Sequence, residues 1–126
     1  RRFDILTSVP GIAFVTAATL IAELDELGAA NAAQISALVG VAPMNCDSGA
    51  SRGQRKIRGG RQNVRNALYM AAIAAIRANP DLAAFYSRLR EKGKPFKVAV
   101  TAVMRKLAIL ANSLLSENRQ WKPQRP

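Results

Sequence analysis

An all-α fold is predicted for this chain by three observations. Apolar residues recur at three- and four-residue spacings through most segments, no segment sustains period-2 alternation, and alanine, which suits closely packed helices, is the commonest residue. The 126 residues amount to one domain. A domain of that size buries roughly two-thirds of the surface its unfolded chain exposes, so neither a metal nor a disulfide is required for folding. With Cys46 as the single cysteine and no histidine, the usual zinc sites and His-based catalysis are excluded. The uncharged apolar runs Ile12 to Ala22 and Ala67 to Ile76 are much shorter than the ~18 residues of a membrane span, and no signal-peptide pattern opens the chain. The expectation is a soluble cytoplasmic protein without membrane contact.

The elements follow in order. Arg1 to Ile5 reads as the end of a helix already in progress and, without an initiating Met, as the start of a piece cut from a longer protein. A Pro-Gly turn, Val9-Pro10-Gly11-Ile12, separates it from a helix whose expected stripe is Ile12, Val15, Thr19 and Ala22, widened by Ala17, Leu20 and Leu24. Residues 5–40 therefore look like a helix-hairpin-helix, in which the amides of Gly11, Ile12 and Ala13 are candidates for a phosphate contact. That motif has a second glycine where this chain has Ala13, whose methyl group impedes the closest backbone approach. The alternative is a tight turn with no ligand. Asn31 to Val39 reads as a short helix with Asn31 as N-cap and Gly40 as terminator.

Residues 42–60 break the helical pattern with Gly49, Gly53, Gly59 and Gly60, giving a Gly/Arg-rich loop with room for a short hairpin. Three helices occupy 61–118. The first, from Arg61 or Gln62 to Ala78, carries the stripe Val64, Leu68, Ala71, Ala72 and Ala75. Asn79-Pro80-Asp81 stops it and starts the next, with Asn79 as N-cap and Pro80 at the first helical position. That helix runs to Lys92 and Gly93. Lys94-Pro95 opens the last, to about Glu117, with the stripe Phe96, Val100, Val103, Leu107, Leu110, Ala111 and Leu114 and with Lys97, Thr101 and Arg105 on another side. Residues 119–126 read as a disordered tail. Trp121 within it is the exception that could instead pack against another protomer.

Charge gives the first functional signal. The net charge is +11, yet residues 1–50 hold Arg1 and Arg2 against Asp4, Glu23, Asp25, Glu26 and Asp47, a net −3, which leaves +14 for residues 51–126. So uneven a balance points to a polyanionic partner for the second half. The densest segment holds Arg52, Arg55, Lys56, Arg58, Arg61 and Arg65 with no acid after Asp47, and Gly59-Gly60 precedes a helix start. Glycines admit close backbone approach, guanidiniums grip phosphate oxygens in pairs, and a helix N-terminus adds donors. Lys97 and Arg105 extend the candidate nucleic-acid-binding set. Within the basic segment lie two hydroxyls, Ser48 in Asp-Ser-Gly and Ser51 in Ala-Ser-Arg. Each is either a hydrogen-bond donor to phosphate or a nucleophile whose transition-state charge the arginines stabilise.

The run GVAPMNCDSGASRGQRKIRGGRQNVRNALYMAA, followed by RANPDLAAFYSRLREKGKPFKVAVTAVMRKL and preceded by LTSVPGIAFVTAATLIAELDELG, closely resembles the C-terminal transposase domain of the insertion-sequence one-ten family, also called the one-sixteen and nine-oh-two group. The likeness spans residues 5 to 116 in order. It implies a bacterial DNA transposase or recombinase in which the serine of the Ser-Gly motif, here Ser48 with Ser51 as substitute, is the nucleophile on DNA. It further implies an N-terminal RuvC-like domain whose acidic residues bind Mg²⁺, a structured guide RNA, and a homo-oligomer in the full-length protein; the isolated domain would be inactive. No metal ligand set is expected within this chain. The rival reading is a non-catalytic helical module for nucleic-acid binding or assembly.

Overall fold

The computed structural model describes residues 1–39 and 59–123, the first three of the second stretch as backbone. Among the described residues all regular structure is helical: α1 (Arg2–Thr7), α2 (Phe14–Glu23), α3 (Ala32–Leu38), α4 (Gly59–Ala78), α5 (Pro80–Glu91) and α6 (Phe96–Glu117). The all-α prediction holds.

The two longest helices, α4 and α6, pack on each other and divide the remaining elements between them. Helix α2 lies on α4, α1 and α3 lie on α6, and α5 touches both long helices. The α4 stripe read from sequence, Val64, Leu68, Ala71, Ala72 and Ala75, is buried throughout. It meets Leu20 and Leu24 of the α2 segment and Val103, Leu107 and Ala111 of α6 in one continuous core. Alanines at these positions let helix axes approach closely, so the packing is dense without large side chains.

Local chemistry sets the helix ends. Asn31 caps α3 through a reciprocal pair of bonds with Gln34, its Oδ1 accepting from the Gln34 N–H at 2.8 Å and its own N–H donating to Gln34 Oε1 at 2.9 Å. Asn79 caps α5 as expected, its Oδ1 accepting from the N–H groups of Asp81 and Leu82 at 3.1 and 3.2 Å. With no exposed surface of its own, Asn79 also donates from Nδ2 to Pro10 O at 3.3 Å, which ties the first turn of the chain to the α4–α5 joint. A second buried amide, Asn112 on α6, accepts from the Gly28 N–H and donates to Ala30 O, both at 2.6 Å, and so fixes the turn between α2 and α3.

Four expectations change. The buried face of α2 is Thr16, Ala17 and Leu20, continued by Leu24, while Val15 is 72% exposed. The stripe is rotated from the expected one because an uninterrupted apolar segment has no polar face to fix its phase. Helix α4 starts at Gly59, three residues before Gln62. Two glycines cost about 1 kcal/mol each, a penalty that a 20-residue helix anchored along its buried face absorbs. Phe96 stands at the exposed start of α6 and makes no part of the core. Residues 119–123 return to the body of the domain: the Trp121 N–H donates to Ser8 Oγ at 2.9 Å and its half-buried ring packs on the core. By length and composition α6 could also cross a membrane, but half of its apolar window is buried against neighbouring helices, as suits a core element.

Candidate nucleic-acid interface

Ser48, Ser51, Arg52, Arg55, Lys56 and Arg58 lie outside the described residues. The structure describes the two ends between which that segment runs. On one side Val39, just past α3, is fully buried in the core. On the other, Gly59 begins α4, whose first turns carry Arg61 and Arg65, the last two basic residues of that segment. Arg61 falls on the first of these turns and Arg65 one turn later. The half-buried Arg65 guanidinium donates to Gln62 Oε1, and Gln62 Nε2 donates to Asn66 Oδ1 at 2.9 Å. A neutral amide restrains the arginine without neutralising it, so its charge remains directed at any anion alongside. On another side of the same turn Asn63 Nδ2 donates to both carboxylate oxygens of Glu23, at 3.2 and 3.3 Å, and locks α2 to the start of α4. The N-terminal third of α4 is thus a polar platform held by two side-chain networks.

Lys97 and Arg105 stand on a different helix. Lys97 is exposed in the first turn of α6, whereas Arg105 is half-buried and already engaged with the protein. The stripe Lys97, Thr101 and Arg105, spaced by four residues, therefore has an exposed end and a bound end.

The hairpin packs on α4. The Ile12 N–H donates to Val9 O at 2.9 Å, closing the turn, and the Ile12 side chain lies in the core. Gly11 adopts φ +111° with its Cα against Ala71 and Ala75 of α4. Of the three residues predicted to touch phosphate, Ile12 already has an acceptor for its amide, and the half-buried Gly11 has its Cα against α4. Ala13 is the exposed one, at the N-cap of α2, where no side chain caps the helix.

Sequence reading finds Asn79 as a cap but passes over its tie to Pro10, the tie made by Asn112 and the cations around Phe85. Asn79 and Asn112 each bridge segments far apart in the chain, and nothing in local spacing marks a mid-helix asparagine such as Asn112 as a tie. Phe85 lies under two cations, with Lys106 Nζ at 4.7 Å and the Arg88 guanidinium carbon at 6.0 Å from its ring centroid. The Phe85/Arg88 spacing is one helical turn and is visible in the sequence; Lys106 reaches the ring only through the packing of α5 on α6.

The fold and its charge define an all-helical domain whose second half is strongly basic. The chain belongs to the Transposase IS116/IS110/IS902 family, whose model matches residues 3–87. It is 29% identical over 97% of its length to an insertion element IS110 43.6 kDa protein of Streptomyces coelicolor, covering 31% of that protein. It is 30% identical over 96% of its length to the pilin gene-inverting protein of Moraxella bovis, covering 39% of it. An insertion element IS900 42 kDa protein of Mycobacterium paratuberculosis is likewise 30% identical over 98% of this chain, which covers 32% of that protein. The chain thus spans roughly a third of the length of these relatives.

Proposed function

We propose that this chain is the serine-bearing, DNA-acting domain of an insertion-sequence transposase, working within a longer protein as its relatives are longer. The observation that carries the reading is the family match over residues 3–87, which includes Asp47-Ser48-Gly49 and the arginine-rich segment after it. Ser48 Oγ attacks a DNA phosphorus. An Oγ–P bond forms, the P–O bond to the leaving deoxyribose oxygen breaks, and that oxygen takes up a proton. A hydroxyl of the receiving strand then attacks the phosphoserine ester, restores a phosphodiester and releases the serine. The covalent intermediate conserves the energy of the broken bond for rejoining. Ser51 is the substitute nucleophile.

Arg52, Arg55, Lys56, Arg58, Arg61 and Arg65 hold the nucleic-acid backbone near the reacting phosphate and stabilise the charge that builds on it. Mg²⁺ is the metal that the resemblance implies for the full-length protein, held by acidic residues. The ion belongs with a RuvC-like domain elsewhere in the longer protein. A structured RNA directing the choice of DNA, and assembly of several protomers to bring DNA ends together, complete the reading.

The test uses the full-length protein in a DNA strand-exchange assay. Ser48→Ala is expected to abolish recombinant product while leaving DNA binding within about twofold, because the hydroxyl does chemistry and the arginines bind. Wild-type levels of product from Ser48→Ala would refute the assignment.

A further inference from the structure

A cleft of about 720 Å³ lies between α5, α6 and residues 119–122. Its walls include Phe85, Arg88, Lys106, Trp121 and Lys122. Of its carboxylates, Glu117 is bonded to Arg119 and Asp81 is engaged within the protein. Arg88, Lys106 and Lys122 are exposed and have no carboxylate partner among the described residues. Phe85 holds the first two of these cations over its ring, which orients them. The Trp121 indole is half-buried and anchored through its backbone to Ser8, so one aromatic surface of the cleft is fixed in place.

We propose that this cleft binds an unpaired nucleotide of a nucleic-acid strand, with its phosphate on Arg88, Lys106 and Lys122 and its base stacked on Trp121. The volume falls within the range of small-ligand sites. Cations beside aromatic side chains are the combination that single strands require, since each nucleotide presents one charge and one flat face. An acidic peptide supplies the charge without the flat face and leaves Trp121 unused. Phe85 is a positioning residue: it acts on the phosphate through the two cations it orients. The site shares no residue with the serine segment and stands on its own chemistry, whatever the outcome for that segment.

Trp121 is the single tryptophan of the chain, so its fluorescence reports on this cleft alone. Titrating the 126-residue protein with oligo(dT), oligo(U), a matched duplex and polyglutamate, by Trp121 emission and by anisotropy of labelled strands, decides the matter. The single strands are expected to quench Trp121, and the stronger of the two identifies DNA or RNA as the source; duplex and polyglutamate are expected to leave the emission unchanged. The double variant Lys106→Gln/Lys122→Gln is expected to weaken single-strand binding about tenfold and to lower the log–log salt slope by up to about 0.7, the share of the one phosphate these cations hold. Phe85→Leu should weaken it less while leaving helix content intact, and circular dichroism verifies the fold of each variant. Quenching that persists in Arg55→Ala/Arg58→Ala supports the cleft as a site apart from the serine segment. Unchanged affinity and slope in the lysine double variant, equal quenching by polyglutamate, or quenching abolished only by mutation of Arg55 and Arg58 would each overturn the proposal.

Discussion

Gly11 lies so close to Ala75 that a Cβ on Gly11 would stand 2.7 Å from the Ala75 Cβ and 2.9 Å from its Cα. At this point the hairpin and the last turns of α4 are in backbone-to-backbone contact, and the position also holds φ +111°. Gly11→Ala adds a left-handed penalty to an overlap with a helix that cannot move, for a loss of about 2–4 kcal/mol. That corresponds to a melting temperature lower by roughly 10 °C in thermal unfolding. Ala75→Gly in the same chain is expected to recover only part of the loss, since it removes the contact with the Ala75 Cβ but leaves the overlap with the Ala75 Cα and the Ala71 O and the backbone strain.

Asn112 makes its two bonds to backbone groups of one turn, Gly28 and Ala30, from the middle of an otherwise apolar helix face. Asn112→Leu keeps the volume and orphans an N–H and a C=O in a half-buried setting, at a cost of about 1–3 kcal/mol by chemical denaturation. Amide exchange at Gly28 is expected to accelerate in this variant while exchange along α4 keeps its protection.

Asn79 performs two tasks that substitution separates. Asn79→Ala removes both the α5 cap and the bond to Pro10, for about 2–3 kcal/mol; Asn79→Ser keeps an oxygen for the cap but falls short of Pro10, for about 1 kcal/mol. Equal losses for the two substitutions would mean that the bond to Pro10 alone matters, and no loss in Asn79→Ser would mean that the cap alone does.

Binding to duplex DNA is expected to weaken steeply with salt because the basic segment displaces counterions. Removing one cation from a phosphate lowers the log–log slope by about 0.9, so Arg55→Ala/Arg58→Ala should lower it by nearly 2 in fluorescence anisotropy. A flat salt response of the unaltered protein would contradict the reading of these arginines as ligands of the DNA backbone.

Much of this fold is legible because helix ends carry local chemistry. Asn79-Pro80-Asp81 names its own cap, and the alanine and leucine pattern of α4 identifies its buried face. The phase of α2 is not legible, since Phe14 and Val15 are as apolar as Leu20 and only packing on α4 decides that they stay exposed, at 67% and 72%. Asn112 and Trp121 escape for a related reason: each works through a partner more than 80 residues away, Gly28 for one and Ser8 for the other. Of the candidate site, the charge imbalance and the resemblance are in the sequence, as is the spacing of Arg61 and Arg65 on α4. The engagement of Arg105 and the contact of Gly11 with α4 are not, because both depend on which helix lies alongside.

The central claim is that Ser48 forms a bond to DNA, and peptide mapping of the covalent adduct tests it most directly. Full-length protein reacted with its DNA substrate, quenched, digested with nuclease and protease and analysed by mass spectrometry should yield the peptide containing Ser48 carrying a nucleotide through its Oγ. Recombination that proceeds without any adduct, or an adduct on Ser51 or on another residue while the Ser48 peptide is recovered unmodified, would contradict it.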